Sequence, residues 1–135
     1  MPLLHYRELI VWQKGIALVT DVYRLTAGFP KHEIYGLTSQ IRRSAVSIPA
    51  NIAEGQGRSS RGEFRQFLGH ARGSLYELET HTLVAFNLSY LTESETARLI
   101  PSIHEVGRLL KRIAEFAGSR GSGMKSVGRS VGGPY

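Results

Sequence analysis

At 135 residues the chain fits one domain, long enough to bury a single core without disulfides or a metal. It contains no cysteine, which excludes a disulfide framework, thiolate metal sites and cysteine nucleophiles, and suits a reducing compartment, the cytoplasm by default. Lys+Arg 17 against Asp+Glu 11 gives a formal net charge of +6, which favours anionic partners, although a charge of this size can also serve solubility alone.

The opening segment MPLLHYRELIVWQKG has no basic stretch ahead of a long apolar run, and no stretch of about 18 apolar residues occurs, so neither a signal peptide nor a membrane span is expected. The Asn87-Leu88-Ser89 sequon is then without consequence. From Arg7 to about Ala27, Leu9, Trp12, Ile16, Val19 and Tyr23 repeat at three and four, the spacing of a helical core stripe. A second stripe, Val11, Leu18, Val22, Leu25 and Phe29, runs about 100 to 120° round the same helix. A bundle needs roughly one stripe, so the surplus either widens the core contact or faces another subunit. Phe29-Pro30 ends this helix, because proline disfavours helical geometry at the residue before it.

Between His32 and Gly57, Leu37, Ile41, Ala45, Ile48 and Ile52 predict a second helix, with a kink or break at Pro49, where a backbone donor is lost, and a terminus at Gly55 and Gly57. Ser60-Arg61-Gly62-Glu63 reads as a capping box that opens a third helix, carried by Phe64, Leu68, Ala71, Leu75, Leu78, Thr82 and Ala85 to about Leu88, roughly 40 Å long. Within it, Gly69 and Gly73 are expected to permit close approach of a neighbouring backbone. Thr92-Glu93-Ser94-Glu95 is a second capping box, followed by Leu99, Ile103, Val106, Leu110, Ile113 and Ala117. Pro101 suggests that the regular fourth helix begins there, with residues 94–100 as a separate turn, and Gly118 suits its C-terminal cap. Residues 119–135, rich in Gly and Ser with Arg120, Lys125 and Arg129, read as a flexible basic tail. The expected architecture is all-α: an antiparallel up-and-down four-helix bundle over residues 1–118 with a kinked second helix, then the tail.

No Walker loop, nucleophile elbow or dinucleotide fingerprint occurs, and no catalytic residue is nominated. His70, Glu77 and His81 fall within about 40° on the third helix, yet lack the spacing that sets ligands on adjacent turns, so neither metal nor cofactor is expected. Glu77 and Glu79 point about 200° apart and form no carboxylate pair; one is expected in solvent and the other paired to an arginine. Arginines make the better candidate. Arg42, Arg43, Arg58, Arg61, Arg65 and Arg72 lie in one 31-residue stretch whose only acids are Glu54 and Glu63. Arg61 and Arg65 share a face near a helix N-terminus, Arg72 continues it, and such a line could follow a phosphate backbone with little base specificity. A solvated face is the bland alternative.

The run Ser47-Ile48-Pro49-Ala50-Asn51-Ile52-Ala53-Glu54-Gly55 resembles the four-helix bundle family labelled S23 ribosomal protein, or 23S rRNA intervening-sequence protein. Gln40-Ile41-Arg42-Arg43 before it, and Phe64-Arg65-Gln66-Phe67-Leu68 and Gly73-Ser74-Leu75-Tyr76-Glu77-Leu78-Glu79 after it, match in order and spacing, and the resemblance runs from about Tyr6 to Gly118. It implies a ring-like homopentamer. It also relates the chain to the accessory protein of diversity-generating retroelements, which is basic and associates with a reverse transcriptase and with nucleic acid. The family brings no catalytic residues. Its motif residues Ser47, Pro49, Asn51, Glu54 and Gly55 are read structurally: Asn51 or Ser47 is expected to satisfy carbonyls freed by Pro49, and Glu54 to pair an arginine between helices or subunits. Pro101 and the tail depart from the family pattern. The expected function is a non-enzymatic, self-associating, nucleic-acid-binding accessory protein whose partners are further copies of itself, RNA or DNA and a reverse transcriptase. The alternative is a protein-interaction scaffold whose charge serves only solubility.

Overall fold

A computed structural model describes residues 5–122, with side chains described through residue 118. Four helices follow in order: α1 (Ile10–Thr26), α2 (Leu37–Gln56), α3 (Arg61–Asn87) and α4 (Glu93–Ser122), with short 3-10 turns at Tyr6–Glu8 and Lys31–Glu33. Each helix packs against the next, and α4 closes the ring against α1. No helix among the described residues is long and apolar enough to cross a membrane.

Side chains set the starts of α2, α3 and α4. The α3 start is capped by Ser60, whose Oγ accepts from the Glu63 amide at 3.1 Å. At α4 both halves of the box form: the Glu95 amide donates to Thr92 Oγ1 at 3.0 Å and the Thr92 amide to Glu95 Oε1 at 2.9 Å. That complete box explains why α4 starts at Glu93 rather than at Pro101. The carbonyl that Pro101 leaves without a helical partner is that of Ala97, and both residues are exposed, so the helix continues without burying that carbonyl. The helix also continues past Gly118 to Ser122, so Gly118 is no cap; the rest of the predicted tail, residues 123–135, lies outside the described residues. At α2 the 3-10 turn replaces the expected first helical turn. The Glu33 carboxylate accepts from the Leu37 amide at 3.0 Å and from the Tyr90 hydroxyl at 2.9 Å, tying the α2 start to the α3–α4 connection.

The second α1 stripe, rather than the first, lies deepest in the core. Val11, Gly15, Leu18, Val22 and Thr26 are buried, whereas Ile16 and Tyr23 are 40% and 44% exposed. Leu9, Trp12 and Val19 pack along the edge of the core. A glycine and a threonine interrupt the buried stripe, which hides its strength from a count of apolar residues. Facing it, Ile41, Ile48, Ile52, Leu68, Leu78, Ile103 and Leu110 are almost fully buried. Each such side chain contributes about 1.5–3 kcal/mol relative to exposure.

Helix α2 runs unbroken through Pro49, whose ring is buried against Gly15; a methyl placed at Gly15 would stand 3.4 Å from Pro49 Cβ. Pro49 frees the carbonyl of Ala45, four residues back, but Asn51 serves a different group. Its Nδ2 donates to the Ser47 carbonyl at 2.8 Å and to Ser47 Oγ at 2.9 Å, and Ser74 Oγ donates to Ser47 Oγ at 2.8 Å, which links α2 to α3. The close helix approach falls at Gly55, where a methyl would lie 2.7 Å from Phe67 Cβ. At Gly69 and Gly73 it would meet nothing within 4 Å, so the approach expected there does not occur. Gly57, not Gly55, terminates α2.

Candidate nucleic-acid interface

Three contacts fix the antiparallel register of α3 against α4. Arg65 lies beside Gly118, where a methyl would come within 3.2 Å of Arg65 Nε; Leu75 meets Gly107; and Glu79 Oε2 stands 3.0 Å from His104 Nε2. This register places Arg108 and Lys111 of α4 beside Tyr76 of α3, around a cleft of about 310 Å³ floored by Leu75, Ile103 and Gly107. Arg61, Arg65 and Arg72 occupy the same side of α3 within about 40° of one another. The α3–α4 edge therefore carries cations from both helices. Tyr76 is half exposed; desolvation raises its hydroxyl pKa, Arg72 opposes that shift and Glu79 reinforces it.

Arg42, Arg43 and Arg58 make their contacts elsewhere, the adjacent Arg42 and Arg43 turning to different neighbours. Arg42 turns towards α1, its Nε donating to Thr26 Oγ1 at 2.8 Å and its guanidinium lying 4.5 Å from the Tyr23 ring centroid. Arg43 lines a separate cleft of about 300 Å³ between α2 and α3 with Gln40, Ser44, Glu77 and His81. Arg58 pairs with Glu54 at 2.8 Å and lies over Phe67 at 4.7 Å. Glu54 therefore finds its arginine one helical turn on, within the same stretch of chain, rather than across helices. The exposed pair is worth well under 1 kcal/mol. Arg61, Arg65 and Arg72 remain on the α4 side of α3, with Arg65 exposed and Arg72 half-buried.

Of the histidine group, His81 and Glu77 meet at the α2–α3 cleft, while His70 is exposed with its ring edge-on to Phe67. No group of three or more His, Cys, Asp or Glu that could hold a metal occurs among the described residues. The partner of Glu79 is a histidine of α4, not an arginine. Arg108, Lys111 and His104 were not among the predicted site residues. A usable signal was present, because they flank the Ile103–Leu110 core stripe, and the short connection between Asn87 and Glu93 forces that flank against α3.

Fold and site together define an antiparallel four-helix bundle with a basic edge between its last two helices. Residues 7–112 match the family described as 23S rRNA-intervening sequence protein, and the chain belongs to that family. A crystal structure of a protein of unknown function from the S23 ribosomal protein family of Bacteroides thetaiotaomicron VPI-5482 superposes with a TM-score of 0.71 at 24% identity. The match covers 78% of this chain and 99% of that one, a likeness of fold. No protein of curated function matches the chain.

Proposed function

We propose that this chain is a non-enzymatic, self-associating bundle of the cytoplasm that grips a nucleic-acid backbone along its α3–α4 edge. The observation that carries this reading is a run of cations along one edge: Arg108 and Lys111 of α4 line a cleft with an aromatic wall at Tyr76, and farther along the same seam Arg65 of α3 lies against Gly118, on the helix side it shares with Arg61 and Arg72. Cations along a groove attract phosphates without reading bases, and a half-exposed aromatic adds a stacking surface for single strands.

Self-association is supported by the outward stripe of α1. Ile16 and Tyr23 are exposed there, and Val46 of α2, 41% exposed, lies between the Arg42–Tyr23 and Pro49–Gly15 contacts that align the two helices. An apolar strip of this kind is the usual mark of a protein contact. A homopentamer is the assembly, and a reverse transcriptase the protein partner, that the family resemblance brings to this reading. The same strip also favours the second reading, a scaffold that recruits a different protein.

Filter binding of RNA and DNA across a salt series tests the proposal. Replacing Arg65, Arg108 and Lys111 by Ala should weaken binding and make the log–log salt slope shallower by about one for each phosphate no longer neutralised. Unchanged slopes would remove the α3–α4 edge from consideration, and absence of binding by the native chain at low salt would leave the scaffold reading.

A further inference from the structure

On the far side of the bundle from that edge, packing leaves two polar groups unfulfilled at one place. The end of α1, the loop after it and the start of α2 enclose a cleft of about 350 Å³ lined by Thr26, Phe29, Lys31, Ile34, Thr38 and Arg42. Thr38 is 3% exposed, and its hydroxyl is buried without a hydrogen-bond partner among the described residues. Thr26 and Thr82 bond back to a carbonyl of the preceding helical turn, but Thr38 is the second residue of α2 and has no such turn before it, so its buried hydroxyl is a cost that asks for a partner from elsewhere.

Arg42 supplies the second observation. Thr26 Oγ1 accepts its Nε–H, the Tyr23 ring supports its plane, and no ion pair with a carboxylate forms among the described residues. A guanidinium held through Nε keeps its two terminal amino groups as a fork that matches an oxyanion, and holding it in place lowers the entropy cost of binding. Lys31 adds a second cation at the rim, and among the described residues no acidic side chain lines the cleft. Phe29, buried and packed against Tyr90, and the half-exposed Ile34 supply apolar walls.

We propose that this cleft binds a small organic oxyanion, a carboxylate or phosphate ester carried on an apolar body. Arg42 anchors the charge, the Thr38 hydroxyl donates the second hydrogen bond, and Phe29 and Ile34 hold the body. The site is independent of the nucleic-acid reading.

The test is a nitrogen–proton NMR titration of the full chain with benzoate and with phenyl phosphate, following the Arg42 Nε–H and the Thr38 and Ile34 amides. Acetate and inorganic phosphate serve as controls without an apolar body. Saturable shifts are expected for benzoate or phenyl phosphate below about 10 mM, whichever binds more tightly naming the headgroup, with weaker effects from the controls. Arg42→Gln and Thr38→Val should each weaken binding about tenfold, a charge-assisted hydrogen bond being lost in either case. Without probe, Thr38→Val should raise Tm, because the orphaned hydroxyl is gone. Should Arg42→Gln fail to fold, Lys31→Gln on the surface should lower affinity severalfold. Absence of saturation, or unchanged affinity in these variants, overturns the site. A fall in Tm for Thr38→Val would give that hydroxyl a partner within the fold and overturn its role as a ligand donor.

Discussion

Replacing glycine by alanine at three positions should change stability in opposite directions, with the sign set by one distance. At Gly55 the new methyl would lie 2.7 Å from Phe67 Cβ, 3.1 Å from Phe64 Cδ1 and 3.4 Å from the Phe64 carbonyl. Phe67 Cβ cannot swing aside, since it is bonded directly to the α3 backbone, so the two helices must part by some tenths of an ångström. Overpacking of this kind costs about 1–3 kcal/mol, against a helix-propensity gain of at most about 1 kcal/mol. That gain is reduced because Gly55 lies one residue from the end of α2. The expected net is a loss of about 1–2 kcal/mol. At Gly69 and Gly73, within α3, a methyl meets nothing within 4 Å, so only the propensity gain applies, about 0.5–1 kcal/mol each. For a domain of this size those energies move Tm by roughly 3–5 °C per kcal/mol. Guanidinium unfolding at one fixed protomer concentration measures all three against the native chain. A midpoint for Gly55→Ala at or above the native value would refute the steric argument. A lowered midpoint for Gly69→Ala would mean that another surface, such as a second copy, packs on that face.

Asn51→Ala should cost about 1 kcal/mol in chemical denaturation, since it removes two hydrogen bonds to Ser47 at a half-buried position. His104→Gln should change stability by less than about 0.5 kcal/mol, because both members of the Glu79 pair are substantially exposed. The Glu33–Tyr90 bond predicts a pH profile. The Leu37 amide first, and the Tyr90 hydroxyl second, hold the Glu33 carboxyl below its ordinary pKa, while the bond to Glu33 raises that of Tyr90. Glu33's contribution is present above the ordinary glutamate value of about 4.3 and is lost as pH falls through the lowered one. Tyr90's contribution is present below about 10 and is lost as pH rises through its raised value. Tyr90→Phe should therefore flatten the fall in Tm between neutral and strongly acid pH; superimposable profiles would show that the bond contributes nothing.

Helix number, order and most of the core were legible in the sequence, because the capping residues Ser60 and Thr92 and the three-and-four steps of α3 and α4 are local signals that tertiary packing left intact. Several of the errors share a cause, which side of a helix meets a neighbour. On α1 the stripe richer in large apolar residues takes the edge of the core, with Ile16 and Tyr23 turned outward, while the buried one gives two of its places to Gly15 and Thr26. Gly55 and Gly69 look alike in sequence, yet only the first meets another helix within 4 Å. Pro49 and Pro101 both carry a helix-breaking signal, and both are absorbed, one against a glycine and one at the surface. The arginine cluster was compact in sequence but was spread by the fold. Its cationic partners Arg108 and Lys111 flank the α4 core stripe in the sequence, and the register of α3 against α4 sets them beside Tyr76.

The two surfaces of the proposed function lie on opposite edges of the ring of helices, the apolar strip on α1–α2 and the cations on α3–α4. Assembly through the first would leave the second facing outward on every copy, so a long strand could engage several edges at once. Each edge alone would bind weakly, whereas linked engagement can raise overall affinity by about 10²–10⁴ with the same interactions at each edge. Ile16→Asn and Val46→Asn together alter neither the charge nor the α3–α4 edge. They should convert the assembly to monomers by light scattering and weaken binding of a long oligonucleotide more than tenfold, while leaving a strand short enough for one edge nearly unaffected. Equal losses for short and long strands would show that the apolar strip acts on each binding edge and not through assembly. No loss for either would separate self-association from nucleic-acid binding altogether.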